Sequence, residues 1–327
     1  MASVSTAILR PASPWTPRAL LRRLANGDEI AHIVTLIFAS TIVLITCTIV
    51  YVLWVQSHLA RQQFGWQFFT SRTWDPISGD FGALPFIYGT LVTSALALIF
   101  AIPLGLGAAV FLAELAPRRA SDSLSFVIDL LAAVPSVIYG LLGIFILIPI
   151  LRTVVEPALR RAFGFLPLFQ GPAYGISFLA GGVILAIMVL PFIISVSREV
   201  LLAVPRDQRE AALALGATRW ESTWKVVIPF AKTGIMGSVF LALARALGET
   251  MAVTMVIGNS PKISASLFSP GYTIAAAIAN EFTEATDDLH LNSLILLGLV
   301  LFLITFILNG LARLFILATT QKGSAHE

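Results

Sequence analysis

The chain has 327 residues, 57% hydrophobic and 12% charged, with a formal net charge of +3. A mean hydropathy of +0.89, carried by repeated apolar runs of about 20 residues, excludes a soluble globular domain. The runs are continuous rather than alternating, which excludes an outer-membrane barrel. The excess of Arg reads as loop bias in a membrane protein, not as nucleic-acid binding. The composition therefore defines an all-α polytopic membrane protein.

Residues 1–29 read as a cytoplasmic tail, disordered by composition over its Ser-, Thr-, Pro- and Ala-rich first part. About six transmembrane helices follow, predicted at Ile30–Val55, Ile87–Leu115, Ser125–Leu151, Tyr174–Ser197, Gly234–Gly258 and Leu291–Ala318. The first is too long for a signal-peptide core and lacks a cleavage site after it, so it reads as a retained span. It holds the single cysteine, Cys47, whose expected role is core packing; no disulfide framework or Cys/His metal cluster is possible. Leu44-Ile45-Thr46-Cys47 faintly matches a lipoprotein cleavage site, but the apolar run continues past it. Pro103, Pro135 and Pro191 fall inside predicted spans and mark packed or cavity-lining helices. The chain divides into the tail, a first helix with its outer segment at 30–85, and a five-helix transmembrane domain at 86–318.

With the N-terminus inside, fourteen Lys and Arg residues fall on the inner side and six on the outer, with Arg245 left within a span. The bias places both termini in the cytoplasm, although Arg152, Arg160 and Arg161 then lie outside, against the rule. The outer segment 56–85 carries Phe64, Trp66, Phe68, Phe69 and Trp74, which with Trp54 read as an interfacial aromatic belt. The segment 259–290 turns acidic at Glu281, Glu284, Asp287 and Asp288 after a helical-looking apolar patch, Ile274–Ala279. It is placed to dip into the membrane or to meet an extracytoplasmic partner.

Between the fourth and fifth spans, residues 206–232 hold eight charges in 27 residues. Pro205 suits a helix start and Asp207 puts negative charge in the first turn. Gly216 is the expected stop. Thr218-x-x-Glu221 is a capping-box pattern that opens a second helix, which Pro229 ends or kinks. A DNA-reading helix-turn-helix is a poor reading, because two short helices tethered to the membrane have no core of their own. The remaining alternatives are a solvated helical loop and a docking element.

Within the predicted fifth span, Arg245 and Glu249 are four apart and are expected to pair on one helix face. Each charge costs at least about 2.5–3.5 kcal/mol at the centre of a membrane. Two readings fit: a self-satisfied ion pair, or an anion pathway in which the forked donors of Arg245 meet oxyanion oxygens and Glu249 either orients Arg245 or accepts a proton-bearing oxygen of the substrate.

Glu210-Ala211-Ala212, three residues, Gly216, nine residues and Val226-Val227-Ile228-Pro229 together resemble the EAA loop of ABC importer permeases. That likeness implies coupling helices seated in a groove of a cytoplasmic ATPase, with Glu210, Ala211, Ala212 and Gly216 as the ATPase-coupling residues. The segment Arg245–Asn259, with Ile87–Thr93, Leu112–Pro117, Leu130–Gly140 and Gly182–Met188, is similar to phosphate-specific importer permeases, of the PstC type more than the sister PstA type. The resemblance covers roughly residues 60 to 316. It implies a type I (MetI-like) permease fold and a substrate pathway through Arg245 and Glu249. It also implies as partners a homologous PstA-type permease, two copies of an ATPase subunit and an extracytoplasmic phosphate-binding protein. The chain has no G-x-x-x-x-G-K-[ST] loop, so no cofactor is expected on it, and ATP-Mg belongs to the ATPase. The rival readings are a permease for sulfate or molybdate, a membrane enzyme, for which no catalytic constellation is present, and a sensor, which the EAA loop disfavours.

Overall fold

The computed structural model describes residues 28–321. The expected tail, except its last two residues, lies outside them. Helix α1, Asp28–Gln56, belongs to a separate unit that ends at Val55 and is described by itself. It is apolar on every side, as suits lipid surroundings. Thr35, Thr41, Thr46 and Thr48 each donate a hydroxyl proton to the carbonyl four residues earlier, so these four hydroxyls are bonded where water is absent. Cys47 is free and exposed on this helix, contrary to the expected core packing.

The second unit begins at Gln56. Short helices α2 (His58–Phe64) and α3 (Gln67–Thr70) lead to a hairpin of β1 (Trp74–Asp75) and β2 (Asp80–Phe81), with Trp74 opposite Phe81. Phe68, Trp74 and Phe81 are buried with Phe86, Tyr272 and Leu294. Phe68 and Trp74 are thus core residues and not members of an aromatic belt; Trp66 stays exposed. Among the described residues, five helices of this unit are long and apolar enough to cross a membrane.

Helix α4 (Leu84–Val110) runs on into one wide π-helical turn, Phe111–Leu115. An amphipathic helix, α5 (Arg118–Ala132), follows, and then α6 (Ser136–Phe163). The third span therefore starts eleven residues later than Ser125. Pro135 breaks the chain between α5 and α6, because a proline disfavours helix at the residue before it. It opens α6 from the N-cap position instead of sitting inside a span. Arg152, Arg160 and Arg161 consequently lie within the far turns of α6, not in an outer loop.

Helix α7 (Phe178–Leu202) is the most buried span and packs along α4. The approach is close because glycines face side chains: a methyl at Gly105 would meet Ile193 at 2.7 Å, and one at Gly182 would meet Leu96 at 2.6 Å. The polar loop forms α8 (Arg206–Ala214), and α9 (Arg219–Leu247) runs unbroken into the bundle. Pro229 does not end α9. A π-helical turn at Thr223–Val227 precedes it and leaves room for a ring that would clash in a regular helix. The fifth span stops at Leu247, earlier than the predicted Gly258, and a separate short helix, α10 (Met251–Ile257), follows. Helices α11 (Ile274–Glu281) and α12 (Asp288–Gln321) complete the unit.

Candidate functional site

The polar loop folds as its local sequence dictates. Gly216 takes φ +87°, a conformation that side-chain-bearing residues rarely adopt. Its N–H donates to the Leu213 carbonyl at 3.0 Å, and that of Ala217 donates to Ala212 at 3.2 Å. These two bonds are a Schellman stop. Thr218 then accepts from the Glu221 N–H at 3.2 Å, while the Glu221 carboxylate accepts from the Thr218 N–H at 3.0 Å, completing the capping box.

Of the coupling candidates, Glu210, Ala211 and Gly216 are exposed and Ala212 is buried. Between α8 and α9 lies an open cleft of about 500 Å³, lined by Ala211, Ala212, Leu215, Gly216, Ser222 and Val226. Leu215 stands 90% exposed at its rim.

Arg209, which the sequence offered only as one of the loop's charges, is the anchor of α8. Its guanidinium meets Glu114 in the wide turn after α4, with Nη2 to Oε1 at 2.8 Å and Nε to the two oxygens at 3.2 and 3.3 Å. It also donates to the carbonyls of Leu201, at 2.7 Å, and Val204. The pair is 95 residues apart in sequence, so no spacing rule could find it.

The second site is the break after α9. Arg245 lies in the last turn of α9, near its negative dipole end; Glu249 lies beyond the break. They share no helix face, and no ion pair joins them. Glu249 instead accepts a hydrogen bond from the Ala252 N–H at 3.1 Å, capping α10. Arg245 stacks over the Phe192 ring of α7, 4.4 Å from its centroid, a cation–π contact. Its Nε is buried and meets no acceptor among the described residues. A buried unmet donor of a charged group is costly, so the guanidinium of Arg245 is not fully satisfied within the bundle. Helix α10 ends at Gly258 with φ +95°, followed by Asn259 with φ +49°. Asn259 Nδ2 bonds the Thr254 carbonyl at 3.1 Å, and the following segment returns to the start of α7, where the Phe178 N–H donates to Ser269 and the Leu179 N–H to Leu267.

At the opposite end from α8, the acidic segment is also built in. Trp74 Nε1 donates to Glu281 at 2.8 Å, and His290 Nε2 lies 3.1 Å from the same oxygen. His290 stacks on Phe81. The apolar patch at Ile274–Ala279 is a helix whose buried side faces this aromatic cluster. Glu281 and His290 are thus structural neighbours, although their positions in the sequence form no motif.

A family profile described as "Binding-protein-dependent transport system inner membrane component" matches residues 101–320. The chain is 47% identical to the phosphate transport system permease protein PstC of Mesorhizobium japonicum, over 99% of this chain and 100% of that one. It is 48% identical to the protein of the same name in Pasteurella multocida, over 79% and 82%. Among solved structures, a bacterial alginate ABC transporter matches with a TM-score of 0.55 at 16% identity, covering 90% of this chain and 98% of that one. An inward-facing MetNI methionine ABC transporter matches with a TM-score of 0.51 at 20% identity, covering 74% and 98%. At these identities the structural likeness shows the fold alone.

Proposed function

The chain belongs to the family of binding-protein-dependent transport system inner membrane components, and from that premise we propose that it is the permease subunit of an ABC importer of inorganic phosphate. Its fold is that of the type I, MetI-like permeases, and it is a multi-pass membrane protein. The observation that carries the substrate is identity of 44–48% to several relatives named as phosphate transport permeases, end to end in the longest matches. Arg245 supports it chemically, as a cation held inside the bundle with an unmet donor.

In this reading an extracytoplasmic binding protein delivers phosphate to the end that carries the β1–β2 hairpin. A homologous PstA-type permease completes the pathway. Two ATPase subunits bind ATP-Mg, and one of them seats on the outward face of α8 through Glu210, Ala211 and Leu215. Both termini face the cytoplasm, as the Lys and Arg distribution favours. Arg245 takes phosphate oxygens in passing, and Glu249 keeps α10 capped beside it. Phosphate uptake by cells lacking this chain, against sulfate and molybdate controls, tests the reading. Selective loss of phosphate uptake is the expected result; unchanged phosphate uptake with loss of another oxyanion overturns it.

A further inference from the structure

Helix α8 is attached to the bundle through very little surface. Ala212 is its one buried residue, and Arg209 is partly buried beside it; the other seven residues are exposed. Arg209 and Ala212 are three apart and share the inner face, whereas Glu210 and Ala211 point away. Among the described residues, no other side chain of α8 hydrogen-bonds or ion-pairs to another element. The inner face also touches the wide turn at the start of α9, to which the chain joins it directly.

Arg209 reaches two elements: the wide turn after α4, 95 residues away in the chain, and the end of α7, which the short link 203–205 joins to α8. On one side it holds Glu114, beyond the far end of α4. On the other it caps the carbonyls of Leu201 and Val204, where α7 ends. Both placements are favourable: a forked guanidinium matches a carboxylate, and a cation suits the negative end of a helix. The side chains of Arg209 and Glu114 are only 20% and 11% exposed, so water and salt screen the pair weakly.

The two elements lead to the two other functional regions. Helix α7 carries Phe192, on which Arg245 stacks. Helix α4 carries Thr90, whose hydroxyl oxygen accepts the Ile274 N–H at 3.0 Å and so ties α4 to α11 near the opposite end. The interlocked glycine contacts make α4 and α7 a stiff pair. A displacement of α8 held by Arg209 is therefore passed to both.

We propose that Arg209 and Glu114 form the joint through which movement of α8 is transmitted to α4 and α7, and thus to Arg245. Both are positioning residues, and neither touches substrate. The proposal rests on the phosphate-importer reading for what is moved, and on α8 as the seat of an ATPase for what moves it.

The test uses the whole transporter, with its second permease and ATPase, reconstituted in vesicles with the binding protein. Phosphate transported per ATP hydrolysed is measured for the natural chain, Glu114→Gln and Arg209→Lys. Glu114→Gln keeps shape and loses the charge; Arg209→Lys keeps the charge and loses the fork. The ATPase is expected to co-purify at the natural ratio with both variants. The transported fraction falls about tenfold or more for Glu114→Gln, the scale of one lost charge-assisted bond, and less for Arg209→Lys. A merely structural role lowers protein yield or thermal stability and leaves that ratio unchanged. A natural ratio in both variants overturns the joint, and so does release of the ATPase by Glu114→Gln, which makes the pair a docking anchor. If Glu114→Gln does not accumulate, Arg209→Lys decides alone. A natural complex that transports another anion instead of phosphate sinks the substrate reading, and the ratio is then read with that anion.

Discussion

Arg245 and Glu249 stand on opposite sides of a helix break, the one at the end of α9 and the other capping α10. Four residues of separation would pair them in a continuous helix, but α9 ends at Leu247, Gly248 leaves helical geometry and α10 begins only at Met251. Each charge is instead set against a helix end of opposite polarity. Arg245 is thereby released from its expected partner and rests on Phe192.

Because the guanidinium is not neutralised by Glu249, its removal takes away the bundle's available positive charge at the break. Arg245→Gln is expected to reduce phosphate uptake tenfold to a hundredfold, since hydrogen bonds to charged groups contribute about 1.5–3 kcal/mol. Radiolabelled uptake checks this, with ATPase co-purification as the control for assembly. Normal uptake by the variant removes Arg245 from the pathway.

Glu249 separates into two roles by substitution. Glu249→Gln keeps an oxygen for the Ala252 N–H; Glu249→Ala loses it. The alanine variant is expected to lose about 1 kcal/mol as a missing cap, seen as earlier thermal unfolding in detergent. The glutamine variant is expected to unfold near the natural temperature, so any fall in its uptake reports the charge alone. Equal thermal unfolding of the two variants contradicts the capping geometry.

The loop between α7 and α9 was the most legible part of the sequence because its determinants are local. Gly216 and the Thr218–Glu221 box act within a few residues, and both form as expected. The breaks are less legible, since apolar residues continue through Leu130–Val134 and resume at Met251 straight after Glu249 and Thr250, and hydropathy does not register a backbone turn. Pro135 and Gly248 were signals in plain view that composition outweighed. Burial of Phe68 and Trp74, the Glu281–His290 contact and the Arg209–Glu114 pair depend on residues far apart in the chain. No period or spacing encodes them.

Glu210 and Gly216 address docking from two directions. Glu210 is exposed, so Glu210→Arg leaves the fold intact and reverses the charge presented to a partner. It is expected to release the ATPase, read as loss of co-purification. Gly216→Val forces a branched residue to φ +87°, with no steric neighbour within 4 Å to complicate the result. The strain is about 1–2 kcal/mol and is expected to loosen the stop of α8 and weaken co-purification in part. Gly216→Asn, which tolerates that conformation better, is expected to fall between Gly216→Val and the natural chain.

Two glycines on α4 make opposite predictions from the same substitution. A methyl at Gly89 would lie 2.0 Å from the Tyr272 carbonyl oxygen, and that obstacle is backbone. Gly89→Ala must therefore push α4 away from the segment leading into α11. It also strains the Thr90–Ile274 hydrogen bond on the next residue. Overpacking of this kind costs about 1–3 kcal/mol. Gly107, on the same helix, has nothing within 4 Å. Gly107→Ala removes a flexible residue from a helix interior and is expected to be neutral or stabilising by up to about 1 kcal/mol. Thermal unfolding of the two variants in one detergent separates them, with Gly89→Ala lower and Gly107→Ala equal or higher. If Gly89→Ala unfolds at the natural temperature, α4 does not approach Tyr272 as closely as described. The path from α8 along α4 to α11 would then lose its far attachment.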